Sequence, residues 1–136
     1  MTHEGADVLP IMSGEDIVRV RQAVRVRAVA ACFSLVEQTK LVTAASELAR
    51  NTLDHGGGGS VQVEAVELID RRGVRLTFID SGPGIPDIAR ALQDGFTTGG
   101  GLGLGLGGAK RLTNEFSIES APGQGTRVTI ARWKMM

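Results

Sequence analysis

From Ile17 to Ala31 the apolar positions Ile17, Val20, Val24, Ala28 and Ala31 recur at helical spacing, and Arg19, Arg21, Arg25 and Arg27 fill the remaining surface. Ser13, followed by Glu15 and Asp16, supplies an N-cap with an acidic first turn, so the stretch is predicted to be a helix. Its arginines read most simply as a solvated face, with a patch for an acidic partner as the alternative. Ser34 and Glu37 form a second capping box and open a helix predicted to run to about Asp54, where HGGGGS stops it.

Beyond that stop the period changes from helical to alternating. SVQVEAVELID and VRLTFID are predicted as two antiparallel strands joined by RRG, with one face of the pair buried. DSGPGIPD, residues 80–87, is turn chemistry, and PDIARALQDG is a short helix with Pro86 near its first position. A glycine tract follows and runs into a helix from about Gly105; EFSIESA and RVTIARW are strands around PGQG, a hairpin turn. Ahead of the first helix the pattern offers only a short apolar stretch, Val8 to Met12, and residues 1–7 are expected to be flexible. No repeat or linker divides the chain, so residues 1–136 are predicted as one domain. Its architecture is expected to be an α/β two-layer sandwich, a mostly antiparallel mixed sheet with helices on one face.

Composition removes several classes of function. Fifteen basic residues balance fifteen acidic ones, so no net field draws the chain to nucleic acid or anionic lipid. Neither a signal sequence nor an eighteen-residue apolar run is present, which predicts a cytoplasmic protein without membrane insertion. Cys32, alone in the apolar AVAACFSLV, is expected to be a buried and inert thiol. One cysteine and two distant histidines build no metal cluster, and with four Phe, one Trp and no Tyr there is no platform for stacking bases.

What chemistry remains is dispersed. SELARN places Glu47 and Asn51 one helical turn apart, a carboxylate beside a carboxamide that can serve a hydroxyl proton and a phosphate-bound magnesium respectively; both residue types are also common on solvated helices. Asp80 ends the apolar strand LTFI. There it can accept from an exocyclic amine such as that of adenine, with Gly82 and Gly84 admitting a flat ring, or it can merely cap a turn. Thr126 in GQGT can reach a ring nitrogen or can simply start a strand. Gly103, Gly105 and Gly108 match G-x-G-x-x-G, but a helix and loop precede them instead of the first strand of a βαβ unit, so the dinucleotide reading fails on context. A Walker A loop fails too, because Lys110 is followed by Arg111. There remains a glycine-rich segment whose backbone N–H groups can surround phosphate oxygens.

Taken in order, SELARN, DSGPGIP, GLGLGL (101–106) and GQGT resemble the N, G1, G2 and G3 boxes of the GHKL superfamily, which joins gyrase, Hsp90-type chaperones, histidine kinases and MutL. Within it, ASELARN, DSGPGIPDI, DGFTTGG and GAKRL are most similar to the RsbT-type switch serine/threonine-protein kinases, anti-sigma regulatory kinases of bacterial stress signalling, over residues of about 8 to 133. The resemblance implies a Bergerat, histidine-kinase-like fold and ATP with Mg2+ as cofactors. It implies Asn51 as the magnesium ligand, Glu47 as the catalytic residue, Asp80 as the adenine acceptor, and Gly82 and Gly84 as the floor under the base. Gly99, Gly100, Gly101, Leu102, Gly103, Leu104 and Gly105 would lie in a lid spanning residues 95–108, with Thr126 completing the adenine site and His55 nearby. One departure stands out: related kinases carry a lid arginine, whereas no arginine lies between Arg90 and Arg111.

The implied activity is phosphorylation of a serine or threonine on a STAS-domain antagonist protein, after which the released kinase acts on a downstream phosphatase or sigma-regulatory effector. A homodimer stays open. The alternative is a nucleotide-gated binding module that works by sequestration, for which the carboxylate of Glu47 would be unnecessary.

Overall fold

The computed structural model describes residues 2–93 and 105–136. The order of elements is β1 (Thr2–Ile11), α1 (Gly14–Ala30), α2 (Leu35–Asp54), β2 (Gly59–Glu67), β3 (Arg71–Asp80), α3 (Ile88–Ala91), α4 (Gly105–Arg111), β4 (Glu115–Ser120) and β5 (Thr126–Met135). The strands form one sheet in the order β1-β2-β3-β5-β4, so β3 is central. All its pairings among the described residues are antiparallel, which corrects the expected mixed sheet.

Both long helices pack on the same face of this sheet. The α1 stripe Ile17, Val20, Val24, Ala28 and Ala31 is buried, as its spacing predicts, and so are Leu41, Ala44, Ala45 and Leu48 of α2. They meet Val61 and Val63 of β2, Val74, Leu76 and Phe78 of β3, and Val128 and Ile130 of β5 in one hydrophobic cluster. Because side chains alternate along a strand, Asp80 shares the helix-facing side of β3 with Leu76 and Phe78. The Asp80 carboxylate therefore opens toward the helical layer.

Local chemistry fixes the helix ends. Ser13 Oγ accepts from Asp16 N, and Asp16 in turn accepts from Met12 N at 2.9 Å and Arg19 at 2.9 Å. The Met12 amide is the main reason the Asp16 carboxyl is held below its ordinary value. At α2, Ser34 and Glu37 exchange the two bonds of a capping box, and Lys134 of β5 reaches Glu37 at 3.1 Å. The Ser34 amide foremost, then Lys134, pulls Glu37 from its ordinary 4.5 to about 2. A depressed carboxylate contributes stability that is complete above its unfolded value and is lost as pH falls toward the folded one. Urea unfolding of Glu37→Gln should accordingly trail the wild type by about 1 kcal/mol at pH 7, with exposure of Lys134 limiting the gain. The gap should close between about pH 4.5 and pH 2. A gap constant over that range would remove the carboxylate from this role.

Four expectations change. Residues Thr2–Ile11 form β1, of which the pattern offered only Val8 to Met12 and a flexible lead. Being at the edge, β1 needs partners on one side only, so polar residues and Pro10 are tolerated and the alternation is weak. The RRG expected as a turn lies inside β3, and the chain reverses at Leu68–Asp70, where Leu68 N donates to Arg71 O. Gly73 is required in the strand because a Cβ there would stand 2.7 Å from the Trp133 ring, which crosses it on the open face between Arg71 and Arg75. In α3 the cap is Asp87, whose carboxylate accepts from Arg90 N, so Pro86 precedes the cap and does not occupy the first turn. Cys32 is exposed, with φ +66°, at the left-handed position of a Schellman motif ending α1: Phe33 N donates to Ala28 O and Cys32 N to Val29 O.

Candidate active site

The end of β3 is where helices and sheet part. A cavity of about 370 Å³ lies there, a size usual for small-molecule sites. Its apolar walls are Leu48, Phe78, Ile85, Ala91, Leu106 and Val128, while its polar wall includes Glu47, Asn51, His55, Asp80 and Thr126. Gly84 and Gly105 also line it. Seven of the sequence-selected positions, Glu47, Asn51, His55, Asp80, Gly84, Gly105 and Thr126, thus converge on one space from α2, β3, the loop after it, α4 and β5. Gly99, Gly100, Gly101, Leu102, Gly103 and Leu104 lie outside the described residues. Lys110 is exposed on α4 and absent from the cavity wall.

Helical periodicity explains the α2 side. Glu47, Asn51 and His55 follow one another at i+4, forming a stripe along the cavity, and Thr52 beside them is buried and donates to Leu48 O at 2.9 Å. At 1.5 Å per residue the stripe spans about 12 Å from Glu47 to His55. His55 caps the helix, and the next residue, Gly56, is packed against Asp80: a Cβ at Gly56 would be 2.4 Å from Asp80 Cγ. Gly82 approaches the same point, since a Cβ there would be 2.7 Å from Gly56 Cα. The site consequently has an Asp80 end and a Glu47 end, separated by two turns of α2.

At the Asp80 end, register and hydrogen bonds do the positioning. Asp80 stands directly opposite Thr126 across β3 and β5. Its Oδ1 accepts from Gly82 N at 2.9 Å, leaving Oδ2 as an acceptor for an external donor. Ser120, the last residue of β4, ties the neighbouring loops together. Its Oγ accepts from Ile85 N at 2.8 Å, donates to Gly125 O at 2.9 Å, and lies 2.9 Å from Thr126 Oγ1. With the single Ser120 proton committed to Gly125, the Thr126 hydroxyl is the donor of that last bond and turns its lone pairs elsewhere.

Gly56 and Ser120 were not selected from the sequence. A signal for Gly56 existed only as the first glycine of HGGGGS, which reads as a helix stop, and Ser120 is one residue of an alternating strand. Arg50 and Asp87, which lie within SELARN and DSGPGIPD but were given no role there, also line the cavity, as do Asp54 and Arg90. Among the described residues no group of three or more His, Cys, Asp or Glu could hold a metal ion. Asn51 brings a carboxamide oxygen to the cavity wall, a neutral ligand that could hold a phosphate-bound magnesium ion.

The chain is similar to known proteins. The family model for histidine kinase-, DNA gyrase B-, and HSP90-like ATPases matches residues 36–135. The serine/threonine-protein kinase RsbT of Bacillus subtilis (strain 168) is 45% identical over 123 residues, covering 90% of this chain and 92% of that protein. The anti-sigma F factor of Thermoanaerobacter sp. (strain X514) is 30% identical over 104 residues, 74% of this chain and 73% of its own. Among solved structures, the mycobacterial sensor histidine kinase MprB superposes with a TM-score of 0.55 at 20% identity, over 97% of this chain and 100% of that one.

Proposed function

Because this chain belongs to the histidine kinase-, DNA gyrase B-, and HSP90-like ATPase family, and within it to the relatives of RsbT, we propose that it is an ATP-dependent serine/threonine-protein kinase of a bacterial partner-switching pathway. Its substrate is a STAS-domain antagonist, and phosphorylation releases the kinase to act on a downstream phosphatase or effector. In this reading it works in the cytoplasm as one ATP-binding domain; no described helix is long and apolar enough to cross a membrane.

The observation that carries the reading is the shared cavity, with Asp80 at one end and Glu47 beside Asn51 at the other. Adenine would fit the Asp80 end: its amine would donate to Asp80 Oδ2, Thr126 Oγ1 would accept from a water that also donates to a ring nitrogen, and Phe78, Ile85 and Val128 would cover the ring. The triphosphate would then extend along α2 toward Asn51, whose carboxamide oxygen would be a suitable neutral ligand for magnesium. Bound there, the ion would neutralise charge on the phosphate oxygens. Glu47 lies one turn beyond and receives the proton of the attacking serine hydroxyl. The serine oxygen bonds to the γ-phosphorus as the bond to the ADP oxygen breaks, and the proton ends on the Glu47 carboxylate.

Incubation with γ-labelled ATP, magnesium and a STAS-domain protein encoded beside this chain tests the proposal. Label on a serine or threonine of that protein is the expected result. Nucleotide binding without transfer to any neighbouring STAS protein would favour sequestration as the output instead.

A further inference from the structure

Phosphoryl transfer needs positive charge near the transferred group, and residues 91–109 contain neither lysine nor arginine. The cavity wall itself carries four carboxylates, Glu47, Asp54, Asp80 and Asp87, against two guanidinium groups, Arg50 and Arg90. An incoming triphosphate would meet mostly like charge. Which arginine faces it follows from the two ends of the site.

Arg90 belongs to α3, which follows the Asp80 loop directly, and its amide is held by Asp87. Arg50 lies on α2 at the opposite end, three residues after Glu47 and immediately before Asn51. It is exposed and lines the cavity. Glu47 and Asp54, three residues before and four after it, are spaced to pair with it on the helix surface, yet no ion pair joins it to either. A long cationic side chain is thus available at the end where the γ-phosphate would lie.

Resting on the ATP-site reading above, we propose that Arg50 supplies the cation for the γ-phosphate. The planar fork of Arg50 suits two phosphate oxygens at once and adds charge where it grows during transfer.

The test compares binding of ADP and of the non-hydrolysable analogue AMP-PNP, each with magnesium, by calorimetry in the wild type, Arg50→Ala and Arg50→Lys. In Arg50→Ala the ratio of the two dissociation constants should shift about tenfold against AMP-PNP, with ADP affinity little changed and Arg50→Lys intermediate. In steady-state assays kcat should fall while KM for the protein substrate holds. Equal weakening of both nucleotides, or an unchanged ratio, overturns the assignment; so does a rise in protein KM with the ratio intact, which would make Arg50 a docking residue. Should the wild type bind neither nucleotide, the ATP-site reading fails along with it. Thermal melts of the variants, whose substituted side chain is exposed, exclude misfolding as the cause.

Discussion

Glu47→Ala is expected to bind magnesium and ATP within about threefold of the wild type, yet to transfer phosphate to serine about a thousandfold more slowly. The separation follows from the layout of the cavity. In the proposed reading adenine recognition falls to Asp80 and Thr126 and magnesium to Asn51, so removing the carboxylate one turn beyond Asn51 leaves the contacts made before reaction intact. Only the acceptor of the serine proton is lost, and a positioned proton acceptor is worth on the order of a hundred- to ten-thousandfold. Glu47→Gln refines the result: it retains the hydrogen-bonding shape without the charge, so it should be as slow as the alanine variant if proton acceptance is the role. Asn51→Ala should behave differently, weakening nucleotide binding in a magnesium-dependent way. Transfer by Glu47→Ala within a few-fold of the wild type would remove this residue from the chemistry.

The second large effect comes from a residue with no side chain. Gly56→Ala should weaken ATP binding about thirtyfold, some 2 kcal/mol, which is the scale of one hydrogen bond to a charged group. A methyl group at position 56 would fall 2.5 Å from Asp80 Cβ and 2.6 Å from Oδ2, so Asp80 must move away from the bond it receives from Gly82 N. Gly82 cannot relax inward, because it is itself in close approach to the Gly56 backbone. Asp80→Ala should therefore be nearly as weak. Both variants should also lose preference for ATP over GTP, because an acceptor carboxylate favours the amine of adenine and disfavours the carbonyl of guanine. Calorimetry with both nucleotides gives the answer: a Gly56→Ala protein that keeps its affinity, or that weakens while its preference survives, would separate Gly56 from base recognition.

These two residues mark the limit of what linear patterns convey. Glu47 announces itself because its spacing to Asn51 puts both on one stripe of a helix whose caps and apolar face are written into the chain. Gly56 does not, since its neighbour Asp80 is remote in sequence and the contact exists only once β3 is laid against the end of α2.

The same division runs through the molecule. Helix α1, helix α2 and the hairpin of β4 and β5 depend on caps, turn glycines and apolar periods that act within a few residues, so the amino-acid order alone determined them. The edge strand β1, the reversal at Leu68–Asp70 and the exposure of Cys32 were decided by tertiary structure. Edge pairing and the seating of Trp133 over Gly73 are contacts between segments that carry no mutual signal in the sequence. For the site, the chain supplied the types of its groups, a carboxylate, a carboxamide and an acceptor at a strand end. Only the packing of α2 over the sheet set their order along one cavity and brought Arg50, Gly56 and Ser120 into its surroundings, because distance between segments is a property of the folded chain.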